Sequence, residues 1–240
     1  MQRWCQWQVE PLLRLVMGIC LVLGASGIGT LALMKAMGTE EGAVTFPAMI
    51  LHTLVFHGGV LGLVALFLKE QGLTWNDGFG VGRGHLRSLL GPVVLTTVLC
   101  LVSAQLLGRL SGQLIEWQTG EEPVVQSAVE LLRESSSPFR LFYLGMVTIV
   151  LAPIAEEILF RGILYTALLQ YQGRTLAVIV NSILFGLIHS NLLTLVPLIV
   201  MAVFLTLLYE RTRNLIAPIA AHALFNLANF VMLMLGRDGG

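Results

Sequence analysis

Residues 140–169 read RLFYLGMVTIVLAPIAEEILFRGILYTALL. From Leu141 to Leu169 the run is apolar, and it exceeds the ~20 residues that a helix needs to cross a ~30 Å hydrocarbon core. Three charges interrupt it within six positions: Glu156, Glu157 and Arg161. A charge at the bilayer centre costs about 2.5–3.5 kcal/mol on insertion scales, so three together need partners and a use. Glu157 and Arg161 stand four apart, one helical turn, which allows an ion pair within the helix. Glu156 projects about 100° away and is left to face something else. Pro153, just before them, is placed to kink the helix and loosen its backbone bonds.

Outward from this stretch, the remaining charges mark where the chain leaves the apolar phase. The 240 residues carry only 14 Lys+Arg and 14 Asp+Glu, so the net charge is zero, and the mean hydropathy is +0.82. Soluble domains carry roughly a quarter charged residues, and half that density leaves too little polar surface to face water. With no basic block to neutralise phosphates, nucleic acid is excluded as a partner. Uncharged runs of 20 residues between Arg14 and Lys35, 27 between Glu41 and Lys69, 21 between Arg87 and Arg109 and 23 between Arg213 and Arg237 each fit one membrane crossing. The 35 uncharged residues from Thr175 to Tyr209 are too many for one crossing, and they break around Ser190-Asn191 into a hairpin of two.

The expected fold is therefore all-α: a polytopic transmembrane helix bundle of about seven spans, near 12–34, 44–68, 88–108, 140–169, 175–190, 192–209 and 214–236. Boundary error allows six to eight. The chain reads as one integral-membrane domain over 1–240, multi-pass in the cell membrane, with the lipid bilayer as its surroundings. Residues 109–138 read as an extramembrane connection with an amphipathic stretch from Val124 to Leu132 that suits a membrane surface. Cys5, Cys20 and Cys100 show no paired spacing and read as packing residues. His52 and His57 read as interhelical hydrogen-bonders, Asn181 and Asn191 as packing and turn residues, and Gly24, Gly58 and Gly62 as points of close helix approach.

Two further spans carry polar side chains four apart: Phe185 with His189, and His222 with Asn226. At ~1.5 Å rise per residue, Glu156, His189 and Asn226 each lie about 20–22 Å from the side bearing Arg174 and Arg213, with His222 one turn lower. Residues 140–230 thus read as core helices whose polar groups share one intramembrane layer. A Glu and a His brought together there can hold and deprotonate water. An Asn amide beside them can donate to the oxyanion formed when that water attacks a carbonyl. These are the parts of a hydrolase for an amide or ester.

The same residues resemble the intramembrane proteases of the CAAX-protease and bacteriocin-processing type, also called the Abi family. Its pattern is Glu-Glu-x-x-x-Arg, then Phe-x-x-x-His, then His-x-x-x-Asn on separate helices. Glu156-Glu157-Ile158-Leu159-Phe160-Arg161, Phe185-Gly186-Leu187-Ile188-His189 and His222-Ala223-Leu224-Phe225-Asn226 match it in order. The resemblance implies an intramembrane endopeptidase in which Glu156 and His189 activate water. Asn226 with His222 would bind the oxyanion or help position the water. Glu157 and Arg161 would be a supporting pair that holds the first glutamate, with Phe185 beside them. It implies a membrane-protein or lipidated-peptide substrate. Eukaryotic relatives trim prenylated proteins, and many bacterial ones are described as immunity or bacteriocin-maturation proteins.

Members of that family are often labelled metalloproteases. Glu156, His189 and His222 would be a three-ligand zinc set with an open position for water. No His-Glu-x-x-His helix is present, and metal-free, glutamate-dependent activation is the favoured expectation, with no cofactor. A non-catalytic scaffold or immunity-type binding protein is the alternative, although it has no need of buried charges. A proton-coupled transporter is disfavoured by the lack of an inverted repeat or a second acidic cluster.

Overall fold

The computed structural model describes residues 6–38, 45–82, 85–121, 123–124, 127–135 and 137–237, and among them there is no β-strand. Eight helices carry the architecture: α1 (Val9–Ala36), α2 (Phe46–Glu70), α3 (Leu86–Thr119), α4 (Ser127–Glu134), α5 (Pro138–Gln172), α6 (Arg174–Leu187), α7 (Leu192–Thr212) and α8 (Ile216–Arg237). Six of them, all but α4 and α6, are long and apolar enough to cross a membrane. The 14-residue α6 is apolar but, at ~1.5 Å per residue, about 21 Å long. Large side chains along these helices face outward with nothing polar beside them to justify it in water. Leu21, Ile28 and Leu31 on α1 and Leu90, Leu95 and Val102 on α3 are between 61% and 73% exposed. In lipid such exposure costs nothing, and the chain is a multi-pass helical membrane protein.

Among the described residues, helix packing forms two groups, one within 6–78 and one within 79–237. In the first group α1 packs along α2, and a π-turn at Leu54–Gly58 interrupts the latter. His52 meets Ser26 across these helices at 2.7 Å, whereas His57 stands edge-on to the ring of Phe56. The close approach is not made at the expected glycines. A Cβ on Gly24, Gly58 or Gly62 would meet nothing within 4 Å, but one on Gly59 would stand 2.8 Å from Val22 and one on Gly18 3.1 Å from Leu63.

In the second group α3 packs on α7 and α8, and α6 on α7. Their shared core includes Leu89, Cys100, Phe160, Phe185, Met201 and Leu205. Of the cysteines, Cys100 is a packing residue as expected, Cys20 is exposed and Cys5 lies outside the described residues. The third span departs from its expected end at 108. Nothing between 109 and 119 breaks a helix, so α3 continues through Arg109 and Glu116 until Gly120 closes it in the left-handed region, its N–H on the Glu116 carbonyl. The connection expected over 109–138 is thus largely helix, with α4 as its amphipathic part. The α6–α7 hairpin falls where Ser190-Asn191 suggests. Asn191 caps α7 by accepting the Thr194 N–H at 3.1 Å, and its amide holds the Val124 carbonyl at 2.9 Å. Glycine is needed within this hairpin at Gly186, where a Cβ would lie 2.7 Å from Ile199 and 3.1 Å from the Leu195 carbonyl.

Candidate active site

Pro153 shapes the site through the backbone of α5. The turn before it, Val147–Leu151, is π-helical, and the Ala152 N–H reaches the Val147 carbonyl five residues back. The next bond in that register would join Thr148 O to the N–H of residue 153, which proline lacks. The freed Thr148 carbonyl instead accepts from Asn226 Nδ2 at 2.8 Å. One amide N–H of Asn226 is thereby fixed, which orients the other. A second π-helical stretch, Ile158–Tyr165, follows, so Glu156 and Glu157 occupy a short α-helical segment between two irregular ones. Such bulges in helices accompany functional sites.

The two glutamates then diverge. Glu157 is fully buried and its Oε1 accepts from Arg161 Nη1 at 2.9 Å and from His222 Nδ1 at 2.8 Å. The expected ion pair is present, but its hydrogen bond runs to His222 and not to Glu156. With Arg161 on the same oxygen, the carboxylate accepts and Nδ1 of His222 donates, which leaves Nε2 turned away from Glu157. That Nε2 is 3.9 Å from Glu156 Oε2, too long for a direct hydrogen bond. His189 has the same tautomer for a different reason: its Nδ1 donates to the Phe185 carbonyl at 2.7 Å.

Glu156, His189, His222 and Asn226 line one cavity of about 1150 Å³, whose walls are mostly apolar. Glu157, Arg161 and Phe185 stand behind that wall. The Phe185 ring lies 4.6 Å from the Arg161 guanidinium carbon, 5.0 Å from the His189 ring and 5.9 Å from the His222 ring, and so spaces the two histidines. Among the described residues no three His, Cys, Asp or Glu side chains come together to hold a metal ion. Glu156, His189, His222 and Asn226 present one carboxyl group, two imidazoles and an amide to a common space.

Three participants carry no motif. Thr148 contributes only a carbonyl, legible solely through Pro153 once the π register is known. Ala202 likewise contributes a carbonyl, and Thr206 meets Asn181 at 3.2 Å in the buried layer.

Comparison with known proteins falls on the same segment. Residues 138–228 match the family described as Type II CAAX prenyl endopeptidase Rce1-like, a stretch that holds all three motifs. The Bacillus subtilis protein named "Putative membrane peptidase YdiL" is 35% identical over 89 residues, 37% of this chain and 36% of that one. The chain thus spans about a third of that relative's length. An Escherichia coli protein named "Uncharacterized 24.3 kDa protein" is 29% identical over 186 residues, 66% of this chain and 84% of that one. No solved structure matches. Over residues 138–228, then, the chain is similar to the Rce1-like CAAX prenyl endopeptidases, the family its three motifs resemble.

Proposed function

We propose that this protein is an intramembrane endopeptidase of the cell membrane that hydrolyses a peptide bond in a membrane-associated or lipidated protein or peptide. The observation that carries the reading is the convergence of Glu156, His189, His222 and Asn226 on one cavity within an apolar bundle. Glu156 takes the proton of a water molecule, with the His189 Nε2 lone pair as second acceptor, and the hydroxide formed attacks the scissile carbonyl; as the tetrahedral intermediate collapses the C–N bond breaks and the leaving amine takes the proton back from Glu156. The free N–H of Asn226 donates to the resulting oxyanion, and His222 helps to position the water. Glu157 and Arg161 touch no substrate and hold His222 in its tautomer. The similarity to CAAX prenyl endopeptidases makes a lipidated chain the first substrate class to try. No step is routed through a metal.

The test is reconstitution of the full chain with a library of membrane-inserted and prenylated peptides. Glu156→Ala and His189→Ala are each expected to lower cleavage by about a hundredfold or more, with activity in strong chelator unchanged. Unaltered cleavage in both variants would remove these residues from the mechanism. Loss in chelator with recovery on stoichiometric zinc would replace the metal-free step. A phenotype in cells that survives both substitutions, with no cleavage in vitro, would establish the scaffold reading.

A further inference from the structure

Behind the cavity wall the polar contacts continue past the Glu157–Arg161 pair. Arg161 Nη2 crosses to α7 and donates to the Ala202 carbonyl at 3.2 Å. Thr206, one turn further along α7, donates its hydroxyl to the same oxygen at 2.8 Å. A hydroxyl that has given its hydrogen away still accepts, and Asn181 Nδ2 on α6 reaches it at 3.2 Å. Every donor direction is thereby set: Asn181 to Thr206, Thr206 and Arg161 to the Ala202 carbonyl, Arg161 and His222 to Glu157. All of these side chains are fully buried except His222, which is 3% exposed.

Burial removes water as a substitute partner, so each group depends on the next. A threonine hydroxyl bonded to the carbonyl four residues back tilts that carbonyl away from the helix axis. Arg161 approaches Ala202 from outside α7, and a tilted carbonyl is the one it can reach. One face of α6 carries Asn181 and Phe185, four apart, and His189 follows in the turn two residues past its end, so the helix that anchors the far end of this network leads straight into one of the cavity histidines.

We propose that Thr206 and Asn181 are positioning residues for the hydrolytic reaction. They aim the Ala202 carbonyl at Arg161, which fixes Glu157 and through it the imidazole of His222. The proposal rests on the endopeptidase reading for its kinetic consequence but not for its structural one.

Thr206→Val keeps the shape of the side chain and removes the hydroxyl. In the reconstituted full chain, with the best-cleaved peptide of the library, it is expected to lower kcat about tenfold and leave KM within twofold. Asn181→Leu is expected to act in the same direction, and Thr206→Ser to restore kcat. A merely structural role would lower the thermal midpoint in detergent and leave kcat intact, which would overturn the proposal.

The second readout needs no turnover. In protein labelled with ¹⁵N-histidine, the Nδ1–H proton of His222 is identified by its loss in His222→Gln, and Thr206→Val should shift or broaden it while Thr206→Ser should not. An unmoved signal in Thr206→Val overturns the proposal. If the wild type cleaves no peptide, the endopeptidase reading fails, and this signal still decides whether Thr206 sets His222.

Discussion

Glu156 and Glu157 are adjacent in sequence and opposite in circumstance. Glu157 has no exposed surface and two hydrogen-bonded partners, whereas the Glu156 side chain is 23% exposed, toward the cavity. Breaking a buried ion pair by removing one charge leaves the other uncompensated, at a cost of about 3–5 kcal/mol. Glu157→Gln is therefore expected to lower the thermal midpoint sharply in detergent and to reduce the yield of folded protein. Glu156→Gln is expected to leave the midpoint within a degree or two while removing hydrolysis. Equal destabilisation by both would contradict the division between a wall of reacting groups and a layer that supports it. The identity of the pair partner of Arg161 is legible from the i, i+4 spacing. The bond from Glu157 to His222 is not, because it joins residues 65 positions apart.

At the level of elements, the positions where helices touch were poorly served by composition. Gly24, Gly58 and Gly62 look like contact glycines, yet the space above each is open. Gly186 fills an unspecified position of the Phe-x-x-x-His motif, but α7 comes close to α6 there. Of the atoms a Cβ would meet there, the Leu195 carbonyl belongs to the backbone and cannot swing aside. Gly186→Ala is accordingly expected to destabilise by about 1–3 kcal/mol, as overpacking does. Gly58→Ala and Gly62→Ala should be neutral or slightly stabilising, since alanine favours the helix. Thermal unfolding of the three variants in one detergent checks the order. The extension of α3 to Thr119 follows the same lesson in reverse: charges at Arg109 and Glu116 suggest a loop, but a charge does not break a helix. Only Gly120 does so here, through a backbone angle other residues seldom adopt. At ~1.5 Å per residue the 34 residues of α3 run about 51 Å, well beyond a ~30 Å core, so its polar end has room to leave the bilayer.

Across the whole molecule, the length of α6 decides the number of spans. The helix is about 21 Å long at ~1.5 Å per residue, short of a ~30 Å core, and His189 follows at its end. Single cysteines at Gln172 and at Leu192, in a chain whose native cysteines are replaced, are expected to react with an impermeant maleimide from opposite faces of sealed vesicles. Reaction from the same face would make α6 re-entrant and reduce the spans to six long helices.

Sequence by itself determined the phase and where the buried polar residues lie along the chain. Twenty-odd uncharged residues between charges can only be lipid-crossing helices, because a bilayer leaves backbone groups no other partner. Three charges inside one such helix need partners or a use, and the motif spacing sets His189, His222 and Asn226 at their level. Tertiary structure decided which glutamate faces the cavity and which lies buried behind it, and why Asn226 points where it does. Those outcomes depend on contacts between helices: a carbonyl released by Pro153, a histidine seated on Glu157 and a carbonyl of α7 turned toward Arg161. Helical periodicity fixes the direction of a side chain about its own axis. Which neighbour stands in that direction is set by packing.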